Sequence, residues 1–245
     1  MVAAVLCFAS VAGVSRGEFD VPWEYAIMKL NGPYSVEDRL AQFGSQARAR
    51  LAPHFSAAGV PFPPQSVALL AFKDTLRLEL YARGAGQGWM PIRAYPVLAA
   101  SGELGPKLRE GDKQVPEGLY RVTLLNANSR FHVSLRLDYP NAFDLRMAQV
   151  EGRNKLGGDI MIHGKDVSAG CLAVGDEAAE ELFTLAAMVM PAAVHTVISP
   201  TDFRTAAEPA MPVGGVRWMA DLYSLIRSEL ANFPLSERLM AWGAR

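Results

Sequence analysis

The chain has 245 residues, 50% of them hydrophobic and 20% charged, with 24 Lys plus Arg against 25 Asp plus Glu. That length supplies one sizeable core or one domain with terminal extensions, and the balanced charge offers no field for gripping a phosphate backbone, which argues against a nucleic-acid partner. Cys7 and Cys171 are the only cysteines, which excludes a disulfide framework and a multi-cysteine zinc site, while 21 Gly and 16 Pro point to many turns and a β-rich body.

In chain order, residues 2–14 (VAAVLCFASVAGV) come first, uncharged and mostly small or apolar. The run is shorter than the roughly 20 apolar residues of a bilayer-spanning helix. It has the length of a secretory h-region, with Ser10-Val11-Ala12 as a small-residue cleavage site, although the first Arg, Arg16, lies on the wrong side of it. The expectation is a signal peptide over residues 1–16, truncated at its start, that removes Cys7. Ser35 then precedes VEDRLAQFGSQARARL, acidic in its first turn and basic in its last, which predicts a capped helix ending before Pro53. AAGVPFPPQ reads as a linker.

From Ser66 the pattern changes to period two. VALLAF is a short apolar strand, and TLRLELYA places Leu76, Leu78 and Leu80 on one face with Arg77 and Glu79 on the other. WMPIRAYPVLA, LYRVTLL and RFHVSLRLDY continue the strands, the last two separated by the turn-like NANS. In the last of them Phe131, Val133, Leu135 and Leu137 share a face, and His132, Ser134, Arg136 and Asp138 share the other. DIMIH is a short strand ending at His163, Asp176 caps a helix closed by Pro191, and AVHTVIS is a final strand. RWMADLYSLIRSELANF spaces Trp218, Leu222, Leu225 and Leu230 as a helix does. The fold expected is α+β, predominantly β. It has an N-terminal helical extension over 17–65, a domain over 66–200 and a C-terminal helical extension over 201–245.

Reactive side chains concentrate between Asp159 and Cys171, where His163 ends a strand and Ser168-Ala169-Gly170-Cys171 forms a turn. A thiol needs a base to become a thiolate near neutral pH, and the N-terminus of the helix at Asp176 helps through its partial positive charge. Gly170 lets the backbone turn tightly, so that the amides of Gly170 and Cys171 can point at an oxyanion. A lone cysteine is more often an inert buried thiol and a lone histidine a satisfied core residue. Together in one glycine-bracketed turn they are a candidate nucleophile and base, and the residues alone leave both readings open. With no HExxH or CxxC and the other histidines scattered, neither a metal nor another cofactor is expected.

Ile162-His163-Gly164 followed by Ser168-x-Gly170-Cys171 resembles the active-site motif of the L,D-transpeptidase catalytic domain (YkuD) family. Upstream, Gly111-Asp112 followed by Val115-Pro116-Glu117-Gly118-Leu119-Tyr120 is similar to that family's G-D-x-x-T-P-x-G-x-Y pattern, with Val115 for the threonine. NSRFHVSLRLDYPNAFD resembles the strand and Tyr-Pro-Asn turn that follow. The likeness covers residues 66–200. It implies a YkuD-like β-sandwich catalytic domain in a periplasmic or cell-envelope enzyme of cell-wall biogenesis and cell shape. The implied substrate is a peptidoglycan stem peptide containing meso-diaminopimelate, and the implied intermediate is a thioester acyl-enzyme. Carried over residue by residue, Cys171 is the nucleophile and His163 the base. Gly164, Ser168 and Gly170 serve the oxyanion or the loop, and a main-chain carbonyl of the 164–168 loop orients the imidazole.

Two departures from the family pattern bear on function. Most members place an Arg two residues after the cysteine, where Ala173 stands, and a longer loop than the seven residues between His163 and Cys171. The short loop and Cys171-Leu172-Ala173 look like the subgroup that includes the enzyme detaching the outer-membrane lipoprotein from murein, as does VISPTDFR. The function expected from the family motifs is a cysteine-dependent L,D-transpeptidase. The alternatives are an amidase or hydrolase that detaches lipoprotein or cuts cross-links with the same pair, and a non-catalytic peptidoglycan-binding module. His132 and Arg136 are either half-exposed strand residues or a cleft wall touching the stem peptide. His195 reads as structural, and Trp23, Trp89, Trp218 and Trp242 are too spread to form a stacking platform. Lys107, Arg109 and Lys113, interrupted by Glu110 and Asp112, read as a solvated turn.

Overall fold

In the computed structural model, which describes residues 33–189, 193–206 and 215–240, the apolar run Ser66–Phe72 forms strand β1 inside one sheet. Val67, Leu69 and Ala71 enter one core, and Ala68, Leu70 and Phe72 enter another on the opposite face. A strand covered on both faces needs such an unbroken apolar run. Antiparallel to β1 runs β2 (Arg77–Arg83), which pairs with β3 (Met90–Pro96). On the other side β1 pairs in parallel with β9 (Val194–Ser199). The sheet then continues through β5 (Gly118–Ser129), β6 (His132–Leu137), β7 (Met161–His163), β8 (Leu172–Ala173) and β4 (Ala99–Ala100), in the order β3-β2-β1-β9-β5-β6-β7-β8-β4. This is the α+β, predominantly β body expected, built as one curled mixed sheet. The leader over residues 1–16, Cys7, Trp23, Pro191 and Trp242 lie outside the described residues.

Helix α1 runs as Val36–Arg39, a π turn over Leu40–Gly44, and Ser45–Ala58. Ser35 caps it reciprocally with Asp38, as its sequence suggests. The expected end before Pro53 is wrong: the helix passes through Pro53 to Gly59, which takes φ 65°. Ala47, Leu51 and Phe55, four residues apart, are wholly buried on one face of it. Burying Leu51 and Phe55 is worth roughly 1.5–3 kcal/mol each, enough to offset the roughly 3 kcal/mol of an interior proline. Helix α2 (Ala142–Val150) follows Tyr-Pro-Asn, read in the sequence only as a turn; Asn141 caps it with Asp144 in return. Helices α3 (Asp176–Val189), α4 (Met219–Leu230) and α5 (Glu237–Met240) complete the described elements.

α1 and α3 pack on one face of the sheet, where Phe43, Leu51, Leu182 and Phe183 join Val67 and Leu69. The second core joins β1, β2, β3 and β9 to α4 through Leu222, Tyr223, Ile226 and Leu230, and takes no side chain from β6, β7 or β8. The polar face of β2 lies under this second layer. Arg204, from the Val197–Arg204 stretch, bonds Glu79 and Asp202 at 2.7 Å each, and Asp202 also meets Arg77 at 3.3 Å. Among the described residues no helix is long and apolar enough to cross a membrane.

Candidate active site

Cross-strand partners share a face of a sheet, so the register assembles the site. Ser134 of β6 pairs with His163 of β7, and His163 pairs in turn with Ala173 of β8. One residue row away, Arg136 pairs with Met161. Cys171 immediately precedes β8, and extending the parallel register from Ile162↔Leu172 by one residue sets it beside Met161. Alternation places its side chain on the face of Ala173 and His163, two residues and one strand away from the imidazole. That offset corresponds to roughly 8 Å between their Cα atoms. The opposite face of these strands, carrying Leu135, Ile162 and Leu172, is core.

His163 is buried, and its Nδ1 lies 2.6 Å from the carbonyl oxygen of Gly164. With the proton on Nδ1 and donated to that carbonyl, Nε2 is the basic nitrogen, and Nε2 has no hydrogen-bond partner among the described residues. The carbonyl lies within the 164–168 loop where the resemblance put it. Gly164 cannot be another residue without movement: a Cβ there would collide with Asp176 Oδ1 and meet the Phe131 carbonyl oxygen at 2.9 Å. Asp176 is itself fixed, accepting from the Lys165 amide at 2.9 Å and from Lys165 Nζ at 2.7 Å. Burial lowers the pKa of His163 against the opposing pull of the Gly164 carbonyl, which favours a neutral imidazole.

The Cys171 thiol is partly buried, and its Sγ lies 3.6 Å from the Asp159 carbonyl oxygen, to which it donates. Burial pushes the thiol pKa up, and the Asp159 charge adds to this. The Met161 backbone amide and the Lys107 ammonium act in the opposite direction. Both directions favour a neutral thiol near a neutral imidazole, an arrangement in which a proton can pass from one to the other.

Two hydroxyls hold the turn before the cysteine. Ser168 Oγ donates to the Cys171 carbonyl at 2.7 Å and accepts from the Cys171 and Ser101 amides at 3.2 Å. Ser101 Oγ accepts from the Gly170 amide at 2.6 Å and donates to the Lys113 carbonyl at 2.7 Å. The Gly170 and Cys171 amides, expected from the sequence to point at an oxyanion, here donate to serine hydroxyls. Gly170, at φ 108°, takes a backbone conformation in which a side chain is strained. Ser168 and Gly164 support the loop.

The other residues singled out divide. His132 packs on Phe43 and its Nε2 lies 3.1 Å from Glu180 of α3, so it joins strand to helix. Arg136 stays on the site face, 43% exposed, with Nη2 3.1 Å from Asp159 Oδ1. His195 meets the Trp89 ring edge-on. Lys107 corrects the solvated-turn reading: it is buried, donates to the Arg109 carbonyl at 2.9 Å and pairs with Asp112. Asp112, read as an interruption of a basic run, is its partner.

Phe131 was missed. Its ring stacks on His163 with centroids 4.6 Å apart and planes at 24°. Strict alternation puts Phe131 on the core face with Val133. However, β5 runs through the NANS segment, the turn falls at Arg130 and Phe131, and His132 takes φ 74°, which breaks the alternation. Among the described residues no group of three His, Cys, Asp or Glu is placed to hold a metal.

The family model for the L,D-transpeptidase catalytic domain, YkuD, matches residues 67–197. The protein named "Putative L,D-transpeptidase YafK" in Escherichia coli, strains K12 and O157:H7, is 37% identical over 114 residues, which cover 46% of this chain and 44% of that protein. The matched stretch is thus less than half of the relative's length. Among solved structures, the helical cell shape determining protein Pgp2 from Campylobacter jejuni is similar at 18% identity and TM-score 0.44, covering 69% of this chain and 70% of that one. Mycobacterium tuberculosis L,D-transpeptidase 1 is similar at 14% identity and TM-score 0.32, covering 55% and 62%.

Proposed function

Because the chain belongs to the L,D-transpeptidase catalytic domain (YkuD) family, we propose that it is a cysteine-dependent L,D-transpeptidase acting on peptidoglycan stem peptides that contain meso-diaminopimelate. The observation that supports this reading most is the tethered imidazole. Nδ1 is held by the Gly164 carbonyl, Nε2 is left for proton transfer, and the ring shares a sheet face with Cys171. Residues 66–200 form the catalytic domain, with 17–65 and 201–245 as helical extensions. The protein works in the cell envelope, reached by the signal expected over residues 1–16.

In this reading Nε2 of His163 takes the thiol proton as Sγ attacks the carbonyl at the L-centre of diaminopimelate. A C–S bond forms, the tetrahedral intermediate collapses, and the C–N bond to D-alanine breaks as Nε2 returns the proton to the leaving amine. An acceptor amine then attacks the thioester, giving its proton to Nε2 and releasing the thiol. Water in place of the amine gives hydrolysis, and an outer-membrane lipoprotein linked to the stem peptide gives detachment.

Product analysis tests the reading. Purified protein is incubated with disaccharide tetrapeptides and with lipoprotein-linked muropeptides, each against Cys171→Ala. New cross-links or D-alanine release from the first class, absent with the variant, support the transpeptidase. Products from the second class alone favour detachment. No Cys171-dependent product from either class refutes an enzyme and leaves a peptidoglycan-binding module.

A further inference from the structure

The row that ends at the thiol extends across four strands. Leu124 pairs with Arg136, Arg136 with Met161, and the extended register sets Cys171 next. Leu124 reaches this face because the β5–β6 register shifts between Val122 and Leu124. Its partner row then exposes 49% of Leu124 while Val122 stays in the core. An apolar residue, a cation and a thioether thus lead to the nucleophile on the face that the second core leaves open.

Arg136 has a replaceable partner. Its Nη2 meets Asp159 Oδ1 at 3.1 Å, and the two side chains are 43% and 76% exposed. An ion pair so exposed contributes little stability and exchanges readily with another carboxylate. Asp159 also stands at φ 55°, a left-handed conformation uncommon for a residue with a side chain, and its backbone carbonyl accepts from Cys171 Sγ. The residue that occupies the arginine is therefore the residue that holds the thiol.

We infer that Arg136 is the donor-carboxylate anchor of this site, and that a substrate carboxylate displaces Asp159 from it to lay the stem peptide along the Leu124–Arg136–Met161–Cys171 row. Guanidinium presents a planar fork that matches a carboxylate in two bonds. The inference rests on the proposed function, whose donor carries one free carboxylate on each of the two residues that flank the scissile bond, the terminal D-alanine and the diaminopimelyl residue. Either supplies the chemistry Arg136 recognises.

Three donors separate the possibilities: the disaccharide tetrapeptide, the same molecule with the D-alanine carboxylate as carboxamide, and the same with the diaminopimelyl carboxylate as carboxamide. Wild type is expected to lose about 10- to 100-fold in kcat/KM with one amidated donor, which identifies the carboxylate bound. Arg136→Gln is expected to lose a similar factor with the free donor and to stop distinguishing it from that amide, while Arg136→Lys keeps part of the preference. Asp159→Asn, which removes the competitor, is expected to lower KM. A wild type indifferent to both amidations, or an Arg136→Gln variant with undiminished preference, overturns the inference and leaves the proposed function standing. A wild type that turns over none of the three overturns the proposed function, and this inference with it.

Discussion

The imidazole of His163 lies against the ring of Phe131, with centroids 4.6 Å apart and planes inclined by 24°. That stack covers one face of the imidazole, while the Gly164 carbonyl fixes Nδ1. Burial disfavours the imidazolium, and burial together with the Asp159 charge disfavours the thiolate of Cys171. Both shifts favour an uncharged pair.

Alkylation with iodoacetamide reads this directly, because only the thiolate reacts at a useful rate. The rate at Cys171 is expected to rise with pH through a midpoint above about 8.5, the usual cysteine value. In the proposed mechanism the sign is opposite: His163 acts as a neutral imidazole, and its lowered pKa is expected to move the acid limb of kcat/KM below the ordinary imidazole value of about 6.5. A plateau of fast alkylation between pH 5 and 7 would show a preformed thiolate–imidazolium pair instead.

Gly164→Ala tests the tether. The added Cβ meets the Phe131 carbonyl oxygen and Asp176, so the 164 peptide or the Phe131 turn must shift. We expect roughly 1–3 kcal/mol of lost stability from overpacking. We also expect a fall of about 100-fold in kcat/KM, because the carbonyl that aims His163 moves. Chemical denaturation and steady-state kinetics check the two effects separately. A variant with wild-type kinetics would show that the tether is dispensable.

Ser101 and Ser168 form one clasp, with their hydroxyl oxygens 3.2 Å apart. Each alanine substitution removes the acceptor of a loop amide and is expected to cost about 1–2 kcal/mol. The double variant is expected to lose less than the sum by about 0.5 kcal/mol or more. Strict additivity in denaturation would mean that the hydroxyls act independently.

Asp144 supplies a pH-dependent stability term away from the site. Burial raises its carboxyl pKa to about 6, against the bond it accepts from the Asn141 amide. A raised carboxyl contributes stability that is fully present below its unfolded value of about 3.9 and is lost as pH rises through 6. Asp144→Asn is therefore expected to stabilise at pH 7.5, by up to about 3 kcal/mol, and to do little at pH 4.5. Thermal melts of both proteins at the two pH values check it, and an equal effect at both refutes it.

Much of this was legible in the sequence, for reasons that also explain the misses. Val67–Phe72 reads as a strand because its hydrophobicity is continuous, and Met161–His163 because it follows a glycine turn. The His163–Cys171 turn was found through its glycines and its motif. Phe131 and Leu124 were out of reach because a positive φ at His132 and a register shift near Thr123 each reset the alternation. Lys107 was misread because a buried ion pair and a solvated one share the same letters. Pro53 misled because a local cost was outweighed by burial in the tertiary fold.

In the proposed mechanism Cys171 takes up the stem peptide as a thioester with His163 as base. Intact-protein mass spectrometry during turnover of the disaccharide tetrapeptide tests it most directly. An adduct of the donor minus D-alanine, mapped to Cys171, is expected, absent from Cys171→Ala and strongly reduced in His163→Ala. D-alanine release that continues undiminished in Cys171→Ala, with no adduct on the wild type, would contradict it.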